Sequence, residues 1–400
     1  MTPTSRTSAA LLVATALIVA GTTGCAPADA SAPGAAAPAG DIVDGGGAAE
    51  VAEPARALVI ADEGGELTLL DLETEERTVI AASSAEEGGA VTGVDTDGRF
   101  LFVTREAEEG STVTVTDSGR WTMPHGDHSH YFRGEPRTLG SIEGDGAVTV
   151  GIGSDGTAVA FAGGRERVVL DHEALAEGGT DAATRSAAGP SLPFAGEIVE
   201  LTPAGIELPG APVTLCAEPA GADITRVGLV LSCAGGAVLI TREVGGALAA
   251  ETIPHPSGAD APAIALSGRA DRPDLAGVTS DGSAWLLDVR ARSWTALPSD
   301  VPLIRAAAVG DDDARTVGVD ADGAVRILAT DGSVIARTEP LLAASVSDPL
   351  LRDRMELLVD AGHAYVSDAA AGAVHEIDLD DARVIRSFTG LQPWSIVQVG

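Results

Sequence analysis

Three of the seven histidines in this chain fall within six residues, in Trp121-Thr122-Met123-Pro124-His125-Gly126-Asp127-His128-Ser129-His130-Tyr131-Phe132. Neutral imidazole is the usual protein ligand for zinc and related divalent metals. On an extended segment, His128 and His130 share a face, roughly 6.6 Å apart along the strand. Both rings can then tilt onto one ion, each nitrogen about 2.0–2.1 Å from it. Gly126-Asp127 is a turn-forming pair that can fold His125 back toward the other two. Asp127 is either a ligand itself or an acceptor that orients a ligand ring. The competing reading is a polar surface loop that happens to be rich in histidine. Crowding at this spacing favours a metal-binding element, and imidazole suits Zn, Cu and Ni alike.

The surrounding sequence must supply the scaffold. No segment of the body sustains a 3.6-residue apolar period. Short runs of Val, Leu, Ile and Thr alternate instead with Asp-Gly pairs at 97–98, 145–146, 155–156, 281–282, 322–323 and 331–332, a strong hairpin signal. Units such as Val91-to-Val103, Val148-to-Ala160, Leu275-to-Asp288 and Thr316-to-Leu328 resemble one another and recur every 40–50 residues or so, the period of a β-propeller blade. The fold class expected is all-β, a β-propeller, with seven blades favoured and eight possible. Seven blade cores can be marked: 57–81, 91–119, 146–171, 207–241, 263–298, 304–338 and 355–388. Residues 121–145, with the histidines, form either an outer hairpin or an eighth blade. Residues 174–196 read as a loop or short helix, and an array of β-sandwiches is the structural alternative. Among the remaining histidines, His375 lies in a strand-like run flanked by acids and is the better candidate for an added ligand. His172 and His363 sit at strand ends, and His255 lies in a loop between two prolines.

The first residues read as an export signal. Arg6 precedes an apolar run from Ala9 to Ala20, too short to span a bilayer as a mature helix. Gly21-Thr22-Thr23-Gly24-Cys25 then resembles the lipobox of bacterial lipoproteins, with Thr22 where leucine is commoner. That predicts a signal peptide over 1–24 and lipidation of Cys25, hence an extracytoplasmic protein anchored to the cell membrane by lipid alone. Residues 25–54, rich in Ala, Pro and Gly, read as a disordered tether, and 55–400 as the propeller domain. Once residues 1–24 are removed, 24 arginines face 59 acids, a net charge of −35. Such a charge argues against nucleic acid as a partner and raises the local concentration of cations. Cys216 and Cys233 both lie in apolar, strand-like runs. In an exported protein such an even pair is most simply a disulfide, with free thiols or thiolate ligands as the alternative.

Trp121-Thr122, the histidine cluster and Glu135-Pro136 together resemble the signature of periplasmic zinc metallochaperones of zinc ABC-transporter operons. Ala364-Tyr365-Val366-Ser367-Asp368 and Ala373-Val374-His375-Glu376-Ile377-Asp378 are similar to that family's last blade. The resemblance implies zinc as the bound metal and His125, His128 and His130 as zinc-handling positions. It also implies delivery to the substrate-binding protein of a zinc ABC transporter, by a chain expected to be a monomer and not an enzyme. Two alternatives stay open. One is a metal-dependent hydrolase or lactonase-type propeller, which would need carboxylates of several blades converging on a metal and an activated water. The other is a propeller that serves only as a protein-interaction platform. No nucleophile elbow, Ser–His–Asp pattern or phosphate-binding glycine loop is present.

Overall fold

The computed structural model describes residues 48–82, 89–108, 110–125, 128–258 and 260–400. Cys25 and Asp127 lie outside them, as does the side chain of His125. Short strands joined by tight turns pair antiparallel into eight blade sheets among these residues, and the fold is a β-propeller. The first blade joins Ala57–Ala61, Leu67–Asp71 and Arg77–Ala81 to the last strand of the chain, Ser395–Val399. The second is Ala90–Thr96, Phe100–Ala107, Gly110–Asp117 and Arg137–Gly144. The other six follow at 148–186, 191–207, 221–254, 266–297, 303–337 and 357–389. Innermost strands touch from blade to blade: Ser395–Val399 meets Ala90–Thr96, which meets Val148–Ile152, and Leu303–Ala308 meets Leu357–Val359.

A blade packed on both faces cannot alternate polar and apolar residues, and its central strands read as continuous apolar runs. Ala57–Ala61 and Gly156–Phe161 are buried throughout, while the outer strand Val334–Arg337 is largely exposed. The hydrophobic core is therefore divided into layers between neighbouring blades. One layer joins Phe100, Phe102 and Val113 of the second blade to Val159, Phe161 and Val168 of the third. Another joins Leu58 and Leu70 of the first blade to Tyr365 and Val374 of the last.

Eight blades replace the seven favoured from sequence. The additional blade is formed by Ser191–Phe194, Glu197–Thr202 and Gly205–Glu207, with a single bridge from Ile206 to Thr214 in place of a fourth strand. Its first strand contains Pro193, and its first turn is Ala195-Gly196, at φ 53° and 81°. Neither is an ordinary strand or hairpin signal, so the segment 174–196 reads as non-strand. That stretch does begin with helix, His172–Gly178 extending into it, before Thr184–Ser186 and Ser191–Phe194. Residues 121–133 are the outer hairpin, and Arg137–Gly144 is the fourth strand of the second blade. Cys216 and Cys233 are bonded, their Cα atoms 5.1 Å apart. Cys216 lies in the loop before Gly221–Ile224, not in a strand. The segment assigned to the tether also ends early, because Ala49–Val51 is a strand.

Candidate metal centre

The histidine hairpin is inserted between the third and fourth strands of the second blade. Arg120–His125 pairs with His128–Arg133, setting Trp121 opposite Phe132, Met123 opposite His130 and His125 opposite His128. Ala49–Val51 pairs with the other edge of His128–Arg133, making a three-stranded sheet outside the blades. Alternating Trp, Thr, Tyr and Phe suit this pleated, half-buried surface. Trp121 and Phe132 stack with ring centroids 4.9 Å apart, and Phe132 is buried. The Arg99 guanidinium lies 3.7 Å from the Trp121 ring centroid, while its Nε and Nη2 donate to the two oxygens of Asp117 at 3.1 and 2.9 Å.

At the neck of the hairpin, Gly119 sits at φ +70°, and a Cβ there would meet the Gly134 carbonyl oxygen at 2.4 Å. Only glycine permits this crossing. Arg120 and Arg133 both reach Asp71 of the first blade, at 3.7 and 3.0 Å. Burial pushes the Asp71 carboxyl up, but the Thr74 and Glu73 amides and Arg133 outweigh it and hold the group below the ordinary carboxylate range.

Beyond this anchored base, the Nε2 atoms of His128 and His130 stand 3.2 Å apart, their rings edge to face. Two nitrogens bound to one tetrahedral zinc at about 2.0–2.1 Å are separated by about 3.3–3.4 Å. The two rings are in hydrogen-bond contact, at a separation close to that of two ligands on one ion. The Nδ1 of His130 lies 2.6 Å from Oε1 of Glu50, on the strand Ala49–Val51. A carboxylate there accepts a hydrogen bond from Nδ1–H, the tautomer that puts the His130 lone pair on Nε2, facing His128. Both side chains of this contact are about a third exposed, so ligand exchange with solvent is open. Among the described residues, no group of three or more His, Cys, Asp or Glu side chains stands ready to hold a metal ion. The described part of the site is two imidazoles and the carboxylate behind one of them.

Glu50 carries no local sequence signal. It reaches His130 only because strand pairing sets it opposite Phe132, two residues along the same face.

The structure does not bring His375 to this hairpin. It lies in the last blade, its Nδ1 2.9 Å from Ser387 Oγ and its Nε2 3.3 Å from Asp368 Oδ2. His172 is similarly engaged by Thr157 at 2.9 Å and Asp97 at 3.1 Å. His363 lies 3.4 Å from Asp360 and 3.7 Å from Glu376, and its hydrogen bond to Asp360 raises its pKa. His255, expected from its place between two prolines to be a solvated loop residue, is instead buried against Trp285 and Trp294, and that burial lowers its pKa. On the innermost strands, burial raises Asp95 to about 6 and Asp223 to about 7. Glu356, just before Leu357–Val359, is likewise raised by burial to about 7, with Ser395 Oγ donating to its Oε1 at 3.1 Å.

No family model matches the chain, and no curated protein matches its sequence. Two solved structures share its fold at a TM-score of 0.67. Apo AztD from Citrobacter koseri is 18% identical, with 87% of this chain and 99% of that one covered. A second structure of Citrobacter koseri AztD is 16% identical, with 86% and 97% covered.

Proposed function

We propose that this chain is an extracytoplasmic metallochaperone that holds zinc through its histidine hairpin and passes it to the substrate-binding protein of a zinc ABC transporter. The observation that carries the reading is the His128–His130 pair, with Nε2 atoms 3.2 Å apart and Glu50 behind one ring. The resemblance to periplasmic zinc metallochaperones and the fold shared with AztD support it. In this reading zinc is cargo. His128 and His130 bind it as neutral imidazoles, and His125 supplies a third nitrogen from across the Gly126-Asp127 turn. Asp127, water or an incoming ligand from the acceptor protein takes the remaining position.

The placement suits transfer rather than catalysis. The hairpin stands outside the blades and the imidazoles of His128 and His130 are solvent-accessible, so an acceptor can approach the metal without the propeller opening. A net charge of −34 draws cations toward the surface at low ionic strength. Lipidation at Cys25 would keep the carrier at the membrane that holds the transporter, as a monomer on a tether. Replacing His128 and His130 together by alanine tests the site. Stoichiometric zinc and its transfer to a chelator should be lost, while the β-sheet circular dichroism stays unchanged. Full zinc at unchanged affinity in that variant removes the hairpin from consideration.

A further inference from the structure

We infer that Glu50 is the positioning residue of this metal site and that its strand, Ala49–Val51, is the element whose detachment releases the metal. The inference rests on the reading of His128 and His130 as zinc ligands and adds how their grip is set. A ligand imidazole is a stronger donor when its other nitrogen gives its proton to a carboxylate, and it is held in one tautomer and one ring orientation. Glu50 does this for His130 at 2.6 Å. Without it, the Nε2 lone pair would be shared between tautomers.

The strand that delivers Glu50 is held lightly. It has three residues, and among the described residues its ladder pairing is with the histidine strand alone, Ala49 to Arg133, Glu50 to Phe132 and Val51 to Tyr131. Ala49 and Glu50 are exposed. The main apolar seat is just upstream, where Ala48 is buried against Gly134. A Cβ on that glycine would stand 3.1 Å from the Ala48 Cβ. A short edge strand with so little buried surface opens at far lower cost than the blades beside it. Opening it carries the carboxylate away from His130 and leaves the propeller intact.

The test uses the mature chain and three variants, with zinc affinity from chelator competition and zinc dissociation from stopped flow. Glu50→Ala should weaken binding by about 10–100-fold and speed release in proportion. Glu50→Gln keeps an acceptor at the same reach and should recover most of that loss. Ala48→Glu cannot seat against Gly134 and should reproduce Glu50→Ala although the carboxylate is intact. Long-range proton–nitrogen NMR of the zinc-free protein should show His130 protonated on Nδ1 in the wild type and in Glu50→Gln, and mixed tautomers in Glu50→Ala. A role confined to packing would leave that pattern unmoved. Wild-type affinity and tautomer in Glu50→Ala overturn the positioning role, and a wild-type release rate in Ala48→Glu overturns the release element. If the His128/His130 double variant keeps its zinc, the site itself is misread. If that variant loses zinc while Glu50→Ala keeps it, only this inference fails.

Discussion

Removing the Trp121 ring should loosen the hairpin without loosening the propeller. In Trp121→Ala the stack on Phe132, at 4.9 Å and an interplanar angle of 13°, disappears. Such pairs contribute about 0.5–1.5 kcal/mol beyond burial. The Arg99 guanidinium, 3.7 Å from the ring centroid, loses a cation–π contact of about 0.5–2 kcal/mol. Arg99 is not orphaned, because its two bonds to Asp117 remain. The combined effect is about 2 kcal/mol, and it belongs to the hairpin because the three-stranded sheet lies outside the blades. Amide hydrogen exchange resolves this by segment. Exchange across 120–125 and 128–133 should rise about 30-fold, while the amides of Phe100–Ala107 and Gly156–Phe161 keep their wild-type rates. Trp121→Phe, which retains a stacking ring, should lose less. Acceleration spread evenly over all blades would refute the view that this stack holds a separate unit. Unchanged exchange in the hairpin would refute the stack as its anchor.

Glu356→Gln should stabilise the protein above pH 7 and make no difference below about pH 4. The folded pKa of Glu356 is raised to about 7, so the stabilising, protonated form is fully present below the unfolded value and is lost as pH rises through 7. Denaturant midpoints at pH 4 and pH 8 check this, and equal midpoints at pH 8 contradict it. Asp320→Ala leaves the buried guanidinium of Arg326 with Asp300 as its remaining carboxylate partner. The cost should be about 3–5 kcal/mol by urea denaturation, nearer the lower end because of Asp300, and a loss under about 1 kcal/mol would contradict it. Cys25→Ala should move the protein from the membrane fraction to the soluble extracytoplasmic fraction, and full retention in membranes would sink the lipid-anchor proposal.

The propeller is legible in the sequence because its turns have their own chemistry. Gly98, Gly282, Gly323 and Gly332, each following an aspartate, all adopt positive φ in hairpins within blades. Where a blade turns on Ala195-Gly196 and its strand contains Pro193, that turn code is silent even though the pairing is local, Ser191 with Glu200 and Phe194 with Glu197. The candidate site divides the same way. His128 and His130 are neighbours in sequence, and their shared face follows from strand periodicity. Glu50 is eighty residues away, and only the pairing of Ala49–Val51 with His128–Arg133 brings it to His130. A spacing argument cannot find a ligand's partner that arrives by sheet register.

The closing strand Ser395–Val399 imposes an order on biogenesis. Chains are made from the N terminus, so Ala57–Ala61 must wait for the last residues of the sequence before the first blade has its innermost strand. Up to that moment the fully buried run Ala-Leu-Val-Ile-Ala has one open edge. A ring that cannot close early keeps the emerging chain open until its last strand is made. Asp71, on which Arg120 and Arg133 of the metal hairpin rest, belongs to that unfinished blade. The base on which the hairpin rests is therefore complete only once the last strand has paired.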